Sequence, residues 1–310
     1  MRRVWGAALA ALAISCGSLV VSTSGVGTAS AATSAGPGYV TILFGRNQSG
    51  VLANCRPVPG SVSIPTMLAT FKRHGWTASG AVVVAWTQET TDHCFQGTSI
   101  PSWATMRAWQ SQYGFQAVSQ GNYVDVKTQT AQQVKDQSCG LLPKFSAEGF
   151  ARAWGLFAYP GNFSTPAIQS QIIDSCFAYG REYGGAVNPL PVASPYFATT
   201  QQIRGGNCNL PNLPCSHIYK WGQPYEAPSQ IAAEVNVHGG QWRIIQVYRL
   251  VTGSGPNWDC TSPDWHAHWT NKHEVYCWND LLSALTSMPS GTIVTDPGSV
   301  AKAFHQLPPH

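Results

Sequence analysis

Apolar and polar residues alternate along the chain in the manner of a protein that mixes strands with helices. Short continuous apolar runs, each ended by Gly, Pro or a polar residue, predict buried strands. Segments with apolar residues three or four positions apart predict helices between those strands. The predicted strands are 39–44, 81–86, 115–118, 156–159, 241–251 and 292–295; the predicted helices are 65–74, a helix from Pro101, 130–142, 165–176 and 279–288.

Strands alternate with helices through most of the chain, which predicts βα units around a parallel sheet. Local signals support two of the helix starts. Thr130 is a predicted N-cap, with Gln133 three residues later in a capping-box pattern, and Pro166 stands at the first position of the next helix. Residues 184–222 are rich in Pro, Asn and Gly and are predicted to be irregular.

The first 31 residues predict a cleavable export signal. Arg2 and Arg3 precede an apolar run, and an A-x-A pattern predicts a cut after Ala31. A membrane anchor is the alternative, but small and polar residues interrupt the run and a cleavage site follows it. A poorly formed lipobox makes lipid attachment at Cys16 a minor possibility. Residues 32–38 then form a predicted linker, and 39–310 a single domain.

Eight of the nine cysteines follow the signal, and an even number in an exported chain indicates disulfides. Short loops favour nearest neighbours, although sequence alone leaves other connectivities open. Zinc is the rival interpretation, but no C-x-x-C pair occurs in the sequence. We therefore expect a secreted, extracellular protein with four disulfides: Cys55–Cys94, Cys139–Cys176, Cys208–Cys215 and Cys260–Cys277.

Composition narrows the range of partners. Charged residues make up 10% of the chain, against about a quarter in an average protein. No basic stripe is present in the sequence, so nucleic acid is not expected as a partner. The chain has 12 Trp and 11 Tyr; aromatic faces with few charges suit stacking on sugar rings, although most of these residues should pack in the core.

The order of four segments resembles the exported polysaccharide deacetylases of the NodB-homology type, which are carbohydrate esterases. They are 40–44 with the polar turn after it, 115–125 leading into the helix 130–139, 157–161, and 238–242 running into a strand. The resemblance covers nearly all of residues 39–304. It implies an α/β fold, a distorted (β/α) barrel of the glycoside hydrolase/deacetylase type, here with disulfide-stapled loops. A generic βα domain is the alternative.

The chemistry of that family depends on residues that this chain lacks. The family has two aspartates after the first strand, an H-[ST]-x-x-H segment and a late histidine; its divalent ion polarises the acetamide carbonyl and lowers the pKa of its bound water. Here Gly45 and Arg46 replace the aspartates, 119–123 replaces the histidine segment, and Tyr248 and Arg249 stand near the late histidine. The positive charge of Arg46 opposes a cation. We therefore expect no catalytic residue, metal or cofactor to be retained.

A barrel without its metal can still bind sugar at its C-terminal mouth. By position, the candidate contacts are polar or aromatic loop residues, and ordinary loop packing is the alternative for each. They are Arg46, Asn47, Ser119, Asn122, Tyr123, Tyr159 and Arg249.

Two other groups of residues could carry chemistry. His266, His268 and His273 form a weak candidate metal site, and a structured aromatic surface loop is the alternative. Glu89 and Asp92 could form the carboxylate pair of a glycosidase. The sequence contains no G-x-S-x-G elbow, P-loop or G-x-G-x-x-G motif, which leaves serine hydrolase and nucleotide-binding functions unsupported.

Three hypotheses follow. The first is a secreted deacetylase-like barrel that binds cell-wall or extracellular glycan without hydrolysing it. The second is an active hydrolase that uses either Glu89 and Asp92 or a relocated metal. The third is a structural or interaction module. After signal cleavage we expect no membrane association; the sequence sets neither the glycan nor the oligomeric state.

Overall fold

Seven parallel strands pair edge to edge and close into a barrel. Each strand pairs with the next in the order β1–β2–β5–β6–β7–β9–β12, and β12 returns to pair with β1 from Tyr39↔Trp242 to Phe44↔Val247. The predicted parallel sheet and the (β/α) barrel are confirmed. The barrel strands are β1 (Tyr39–Phe44), β2 (Ala78–Val82), β5 (Gln116–Ser119), β6 (Phe157–Ala158), β7 (Gly180–Tyr183), β9 (Ala198–Gln202) and β12 (Gln241–Val247).

The computed structural model describes residues 36–45, 55, 60–95, 98–122, 126–183, 187–192, 198–202, 219–220, 223–224, 228–247, 249–255, 258–260 and 275–304. The predicted signal and most of the linker lie outside these ranges. No helix in the ranges is long and apolar enough to cross a membrane.

The barrel strands read as continuous apolar runs because both of their faces are buried. In β1, Val40, Ile42 and Phe44 pack outward against the helices, whereas Tyr39 and Leu43 belong to the cluster inside the barrel. All six residues of this strand are buried. Because successive side chains of a strand point to opposite faces, each barrel strand contributes to an outer layer that faces the helices and to an inner layer.

Short strands extend the sheet beside the barrel or form separate ladders. β17 pairs with the first half of β1, and β8 pairs with the start of β12, so both lie near the amino ends of the barrel strands. The remaining ladders are β3–β4, β10–β11, β13–β16 and β14–β15. The bounds are β3 (His93–Phe95), β4 (Thr98–Ile100), β8 (Asn188–Pro189), β10 (Tyr219–Lys220), β11 (Gln223–Pro224), β13 (Arg249–Val251), β14 (Ser254–Gly255), β15 (Trp258–Asp259), β16 (Val275–Cys277) and β17 (Ile293–Val294).

The helices follow the predicted pattern with one clear difference. Thr130 caps α3 through a complete capping box with Gln133, as predicted. The predicted helix 130–142, however, ends three residues early, at Cys139 before Gly140, and Leu142 begins a separate helix. The helices are α1 (Ile64–Arg73), α2 (Trp103–Tyr113), α3 (Ala131–Cys139), α4 (Leu142–Ala147), α5 (Pro166–Ile173), α6 (Pro228–Glu234), α7 (Trp278–Thr286) and α8 (Pro297–Ala303), with 3₁₀ turns at Val84–Trp86, Ala153–Gly155 and Pro160–Asn162.

Three strand predictions need correction. The predicted strand 81–86 begins at Ala78 and ends at Val82, after which the chain enters a 3₁₀ turn. The predicted strand 241–251 is divided between β12 and β13. The segment 184–222, predicted to be irregular, supplies the barrel strand β9, whose polar sequence carries no apolar run.

The amino end of the barrel is covered by α8. Val300 and Ala301 of this helix join the cluster of inward residues, and the ring of Phe304 meets Tyr39 edge-on at 5.6 Å between ring centroids. Asp296 caps α8 by accepting from the Ser299 backbone N–H, and it also pairs with Arg152. These contacts hold the helix against the amino ends of the strands.

Three of the four predicted disulfides are confirmed. They join Cys55 to Cys94, Cys139 to Cys176 and Cys260 to Cys277. Cys208 and Cys215 lie outside the described residues.

Candidate ligand site at the carboxyl end of the barrel

The carboxyl ends of the seven strands gather at one end of the barrel, which is where loop residues form binding sites in such folds. Backbone hydrogen bonds join neighbouring segments there: Val84 and Ala85 donate to the carbonyls of Gly121 and Asn122, both at 3.1 Å, and Gly45 donates to Val247 at 3.1 Å. We call this end the mouth. Residues 46–54, 123–125, 184–186 and 203–218, which follow four of the strands, lie outside the described ranges.

Three long polar side chains face the interior near the mouth. Arg181 pairs in register with Ala158 and Ala198, which both belong to the inward cluster. Gln246 pairs with the inward Leu43, and Gln120 lies two positions beyond the inward Val118. The three residues are 1%, 1% and 5% exposed, respectively. The upper part of the barrel interior is therefore polar and carries a fixed positive charge.

Two buried polar atoms in this interior have no hydrogen-bond partner among the described residues. They are the side-chain carbonyl oxygen Oε1 of Gln120 and the hydroxyl Oγ of Ser79. Ser79 is fully buried on β2, where it pairs in register with the inward-facing Leu43. Buried polar atoms normally find a partner in protein or ordered water. These two polar atoms are therefore left unsatisfied by the described part of the chain.

The described part of the interior does not fit a divalent metal ion. Metal sites of this type use carboxylates and imidazoles, whereas this interior presents the carboxamides of Gln120 and Gln246 and the guanidinium of Arg181. A guanidinium stays protonated and repels a cation. Within the described ranges, no three His, Cys, Asp or Glu residues are placed to hold a metal. His266, His268 and His273 lie outside those ranges.

Two candidate contacts predicted from sequence are buried outside the barrel interior. Tyr159 is 1% exposed and packs in the cluster beneath α3 and α5, with its ring against Gly180. Ser119 is fully buried, and its hydroxyl accepts a hydrogen bond from the Gly121 backbone at 3.1 Å. Each residue occupies the outward phase of its strand, so its side chain faces the helices and not the barrel interior, contrary to the position at the mouth that was predicted for it.

The other candidates divide into one at the mouth and four that the structure does not describe fully. Asn122 is half-buried at the mouth, in the turn after β5. Arg249 lies on β13, which pairs with β16 and not with the barrel, and only its backbone is described. Tyr248, predicted to stand near the late histidine, is outside the described residues, as are Arg46, Asn47 and Tyr123.

Sequence reasoning missed the inward residues because it looked in the loops. β12 ends at Val247, so Gln246 is its last inward residue. It precedes Tyr248 and Arg249, the positions that the resemblance suggested. Gln120 lies inside the segment 119–123. Because side chains alternate between the two faces of a strand, the inward position of Val118 could have predicted that Gln120 also faces inward. Arg181 had no such signal, since Gly180–Tyr183 contains one aromatic and no aliphatic residue.

An aromatic pair lies on the segment that follows β2. The rings of Trp86 and Phe95 are 4.7 Å apart between centroids and tilted by 34°, and both side chains are half-buried. The pair belongs to the mouth, because Ala85 is hydrogen-bonded to Asn122. Cys94, next to Phe95 in the chain, forms a disulfide with Cys55. The mouth thus combines a ring surface with a carboxamide.

The carboxylates considered for glycosidase chemistry have structural partners. Hydrogen bonds from Arg107 and then Lys144 lower the pKa of Glu89, so this carboxyl stays ionised and is a poor proton donor. Asp92 accepts the backbone N–H of Ser102 at 2.6 Å, next to the start of α2. Both carboxylates hold the loop after β2 against α2 and α4.

A separate groove of about 380 Å³ lies at the opposite, amino end of the barrel. Glycine and proline form much of its wall, and His238 and Thr292 are its most polar side chains apart from Ser290. Few groups converge there, so the mouth offers the richer set of hydrogen-bonding groups.

The sequence matches no protein-family model and no curated protein. The fold is similar to that of solved polysaccharide deacetylases and family 4 carbohydrate esterases. A structure assigned to a polysaccharide deacetylase from Mycobacterium smegmatis is 12% identical, with 90% of this chain and 97% of that chain covered and a TM-score of 0.48. A family 4 acetyl xylan esterase from Clostridium thermocellum, in complex with a cobalt ion, is 12% identical (86% and 91% covered, TM-score 0.41). A family 4 carbohydrate esterase from Streptomyces lividans, in complex with acetate, is 11% identical (86% and 88% covered, TM-score 0.37).

Proposed function

We propose that this protein is an exported, non-catalytic relative of the polysaccharide deacetylases that binds cell-wall or extracellular glycan at the mouth of its barrel. The observation that supports this proposal best is the chemistry of the inward residues near the mouth. Where deacetylation requires carboxylates and imidazoles around a metal, Gln120, Gln246 and Arg181 supply hydrogen-bond donors and acceptors. Such groups hold hydroxyls and carbonyls without activating water.

The aromatic pair at the mouth adds a surface suited to a sugar ring. Trp86 and Phe95 are half-buried, so each leaves part of a ring available at the surface. Apolar ring faces combined with a few placed polar groups are typical of small-molecule sites, and the carboxamide of Asn122 is such a group. Sugars offer both an apolar ring face and hydroxyls, which matches this combination.

The N-terminal pattern and the disulfides support export. Arg2, Arg3 and the apolar run predict a signal cut after Ala31, and three disulfides are present in the folded domain. Structural disulfides persist in oxidising compartments. A protein in that location meets the polysaccharides of the cell surface.

The test uses the chain from Ala32 onward, purified with its disulfides intact. Calorimetry and a glycan array measure binding, and acetate release from acetylated chitooligosaccharides measures hydrolysis with and without added zinc or cobalt. We expect binding to at least one glycan class and no acetate release. Trp86→Ala should weaken binding roughly 5- to 30-fold, since an aromatic contact with a sugar ring contributes about 1–2 kcal/mol. Trp76→Ala, which removes a half-buried Trp stacked on His74, is the matched control and should retain binding.

Two outcomes would contradict the proposal. Stoichiometric zinc together with acetate release, both lost in the double variant His266→Ala/His268→Ala, would show an active hydrolase with a relocated metal. Absence of binding to every glycan tested would favour a structural or interaction module.

A further inference from the structure

The disulfide beside the aromatic pair makes the mouth sensitive to reduction: we infer that reducing Cys55–Cys94 releases the β3–β4 hairpin and lowers the affinity for glycan. The hairpin carries Phe95, one of the two rings of the aromatic pair. The inference rests on the proposed function, because it concerns the regulation of the same ring surface. Its conformational part can be tested without a glycan.

The two rings of the aromatic pair are held by different parts of the chain. Trp86 lies in the 3₁₀ turn after β2, and this turn is joined to the barrel because Ala85 donates to the Asn122 carbonyl. Phe95 lies on β3, which pairs with β4 in a two-stranded ladder. An isolated hairpin of two strands is marginally stable. Contacts outside the ladder are therefore needed to hold Phe95 against Trp86.

The disulfide ties the outer part of this hairpin to the connection between β1 and α1. Asp92 anchors the base of the hairpin by accepting the backbone N–H of Ser102 at 2.6 Å. Cys94 lies beyond this base, next to Phe95, and is bonded to Cys55. Successive side chains of a strand point to opposite faces, so Cys94 holds β3 from the face opposite the Phe95 ring. Breaking the bond removes a constraint on the outer part of β3.

The other two disulfides that the structure describes lie at hydrophobic clusters. Cys139–Cys176 lies at the cluster beneath α3 and α5, and Cys260–Cys277 lies at the large cluster outside β1. Neither cysteine of Cys55–Cys94 belongs to the clusters that the described residues form. Segments with few buried apolar contacts open locally at the lowest cost in free energy. Local opening should therefore expose Cys55–Cys94 to a reductant before the other two.

Reduction requires a dithiol as the electron donor. One thiolate of the dithiol attacks Sγ of Cys94, which is half-buried, whereas Cys55 is 4% exposed. The disulfide bond breaks, Sγ of Cys55 leaves as a thiolate and takes a proton, and a mixed disulfide forms on Cys94. The second thiol of the dithiol attacks the reductant's sulfur in this mixed disulfide and releases Cys94 as a thiol. Two electrons and two protons pass to the cysteines, and the dithiol becomes a disulfide.

The first experiment follows reduction of the chain from Ala32 onward. The protein is treated with increasing dithiothreitol, free thiols are blocked with N-ethylmaleimide, and peptides are mapped by mass spectrometry. Of the three described disulfides, Cys55–Cys94 should be reduced first. Hydrogen exchange of residues 93–100 should then become about tenfold faster, while β2 keeps its rate. Reduction of another described disulfide at the same or a lower concentration would overturn the inference, as would an unchanged exchange rate.

The second experiment uses variants that need no reductant. Affinity is measured with acetylated chitohexaose, and with the tightest-bound glycan of the array if that differs. Cys55→Ser/Cys94→Ser should lower the affinity roughly 3- to 10-fold, as expected for the loss of one aromatic contact. Cys139→Ser/Cys176→Ser is the matched control, because the sequence separations are 39 and 37 residues, and it should keep the wild-type affinity. Equal losses in the two variants would overturn the inference.

A third variant tests whether the disulfide acts through the ring. Phe95→Ala should lower the affinity by a similar factor, and adding Cys55→Ser/Cys94→Ser to it should cause little further loss, because the two changes remove the same contact. Fully additive losses would show that the disulfide acts elsewhere and would overturn the inference. This comparison still decides if the control without Cys139–Cys176 does not fold.

Failure of the inference and failure of the proposed function give different results. Glycan binding that persists unchanged after reduction of Cys55–Cys94 would overturn the inference and keep the proposed function. Faster exchange of the hairpin after reduction, in a protein that binds no glycan in either state, would keep the response of the hairpin and overturn the glycan function. Absence of both glycan binding and a change in exchange would overturn both.

Discussion

At the scale of single residues, the phase of each strand decides which side chains can meet a ligand. Tyr159 and Ser119 looked like mouth residues in the sequence, yet both are in the outward phase and buried under helices. One residue after Ser119, Gln120 faces the interior. A shift of one position moves a side chain to the opposite face, so reasoning from the loops selected Ser119 in this segment and passed over its inward neighbour.

Tyr179 provides a residue-scale prediction about pH. Its side chain is fully buried against Trp242, and burial raises the pKa of its phenol. The neutral form is favoured in the folded state, so its contribution to stability is complete below the pKa of an unfolded tyrosine, about 10. Above that pH the contribution falls by up to about 1.4 kcal/mol per pH unit.

Urea unfolding between pH 8 and pH 11 measures this effect. The free energy of unfolding should fall more steeply above pH 10 in the wild type than in Tyr179→Phe. Tyr113→Phe, at the half-buried end of α2, serves as the control and should keep the wild-type slope. Identical slopes in all three proteins would contradict the prediction.

At the scale of elements, sequence patterns located most helices and the strongly apolar strands but missed those made of polar or small residues. β1 and α1 are close to their predicted limits because their apolar spacing is clear. β7 and β9 were missed, since closure of the barrel buries residues such as Arg181 that no apolar pattern marks. Pairing with neighbours, which is not visible in a local window, makes these segments strands.

At the same scale, a network of ion pairs joins the segment after β2 to α2 and α4. Glu148, on the turn after α4, pairs with Lys144 at 2.5 Å and with Arg107 of α2, and both cations also bind Glu89 at 3.0–3.1 Å. The Glu148 side chain is 7% exposed and that of Glu89 is 54% exposed. The two carboxylates therefore differ in their surroundings while sharing the same partners.

This difference in burial predicts that removing the two charges will lower the free energy of unfolding by unequal amounts. Glu148→Gln should lower the free energy of unfolding by about 2–4 kcal/mol, because it leaves two cations facing a buried amide. Glu89→Gln should cost much less than Glu148→Gln, because ion pairs of an exposed carboxylate are screened by water. Urea titrations of both variants at low and high salt provide the measurement. Equal losses would show that the network acts only at the surface.

At the scale of the whole molecule, sequence predicted the barrel and three disulfides that the structure confirms, but not the content of the interior. The inner layer is set by the order of strands around the barrel, which turns residues 120, 181 and 246 toward the same interior. No motif links these positions. That Gly45 and Arg46 follow the first strand could be read from the sequence, whereas the inward placement of residues 120, 181 and 246 required the closed sheet.

The disulfides give a prediction at this scale. Cys139–Cys176 closes 37 residues and Cys260–Cys277 closes 17. Loop entropy predicts a stabilisation of about 3–4 kcal/mol for each, slightly more for the longer loop. Paired Cys→Ser variants, compared by urea unfolding, test the order. A larger loss from removing the shorter loop would show that strain or residual structure outweighs chain entropy.

Helix α8, which covers the amino end of the barrel, limits the path that a ligand can take. With α8 packed across the inner residues there, the described part of the barrel is closed at its amino end. A polymer therefore cannot pass through the barrel from one end to the other. For a glycan bound at the mouth, as proposed, release must follow the same route as entry.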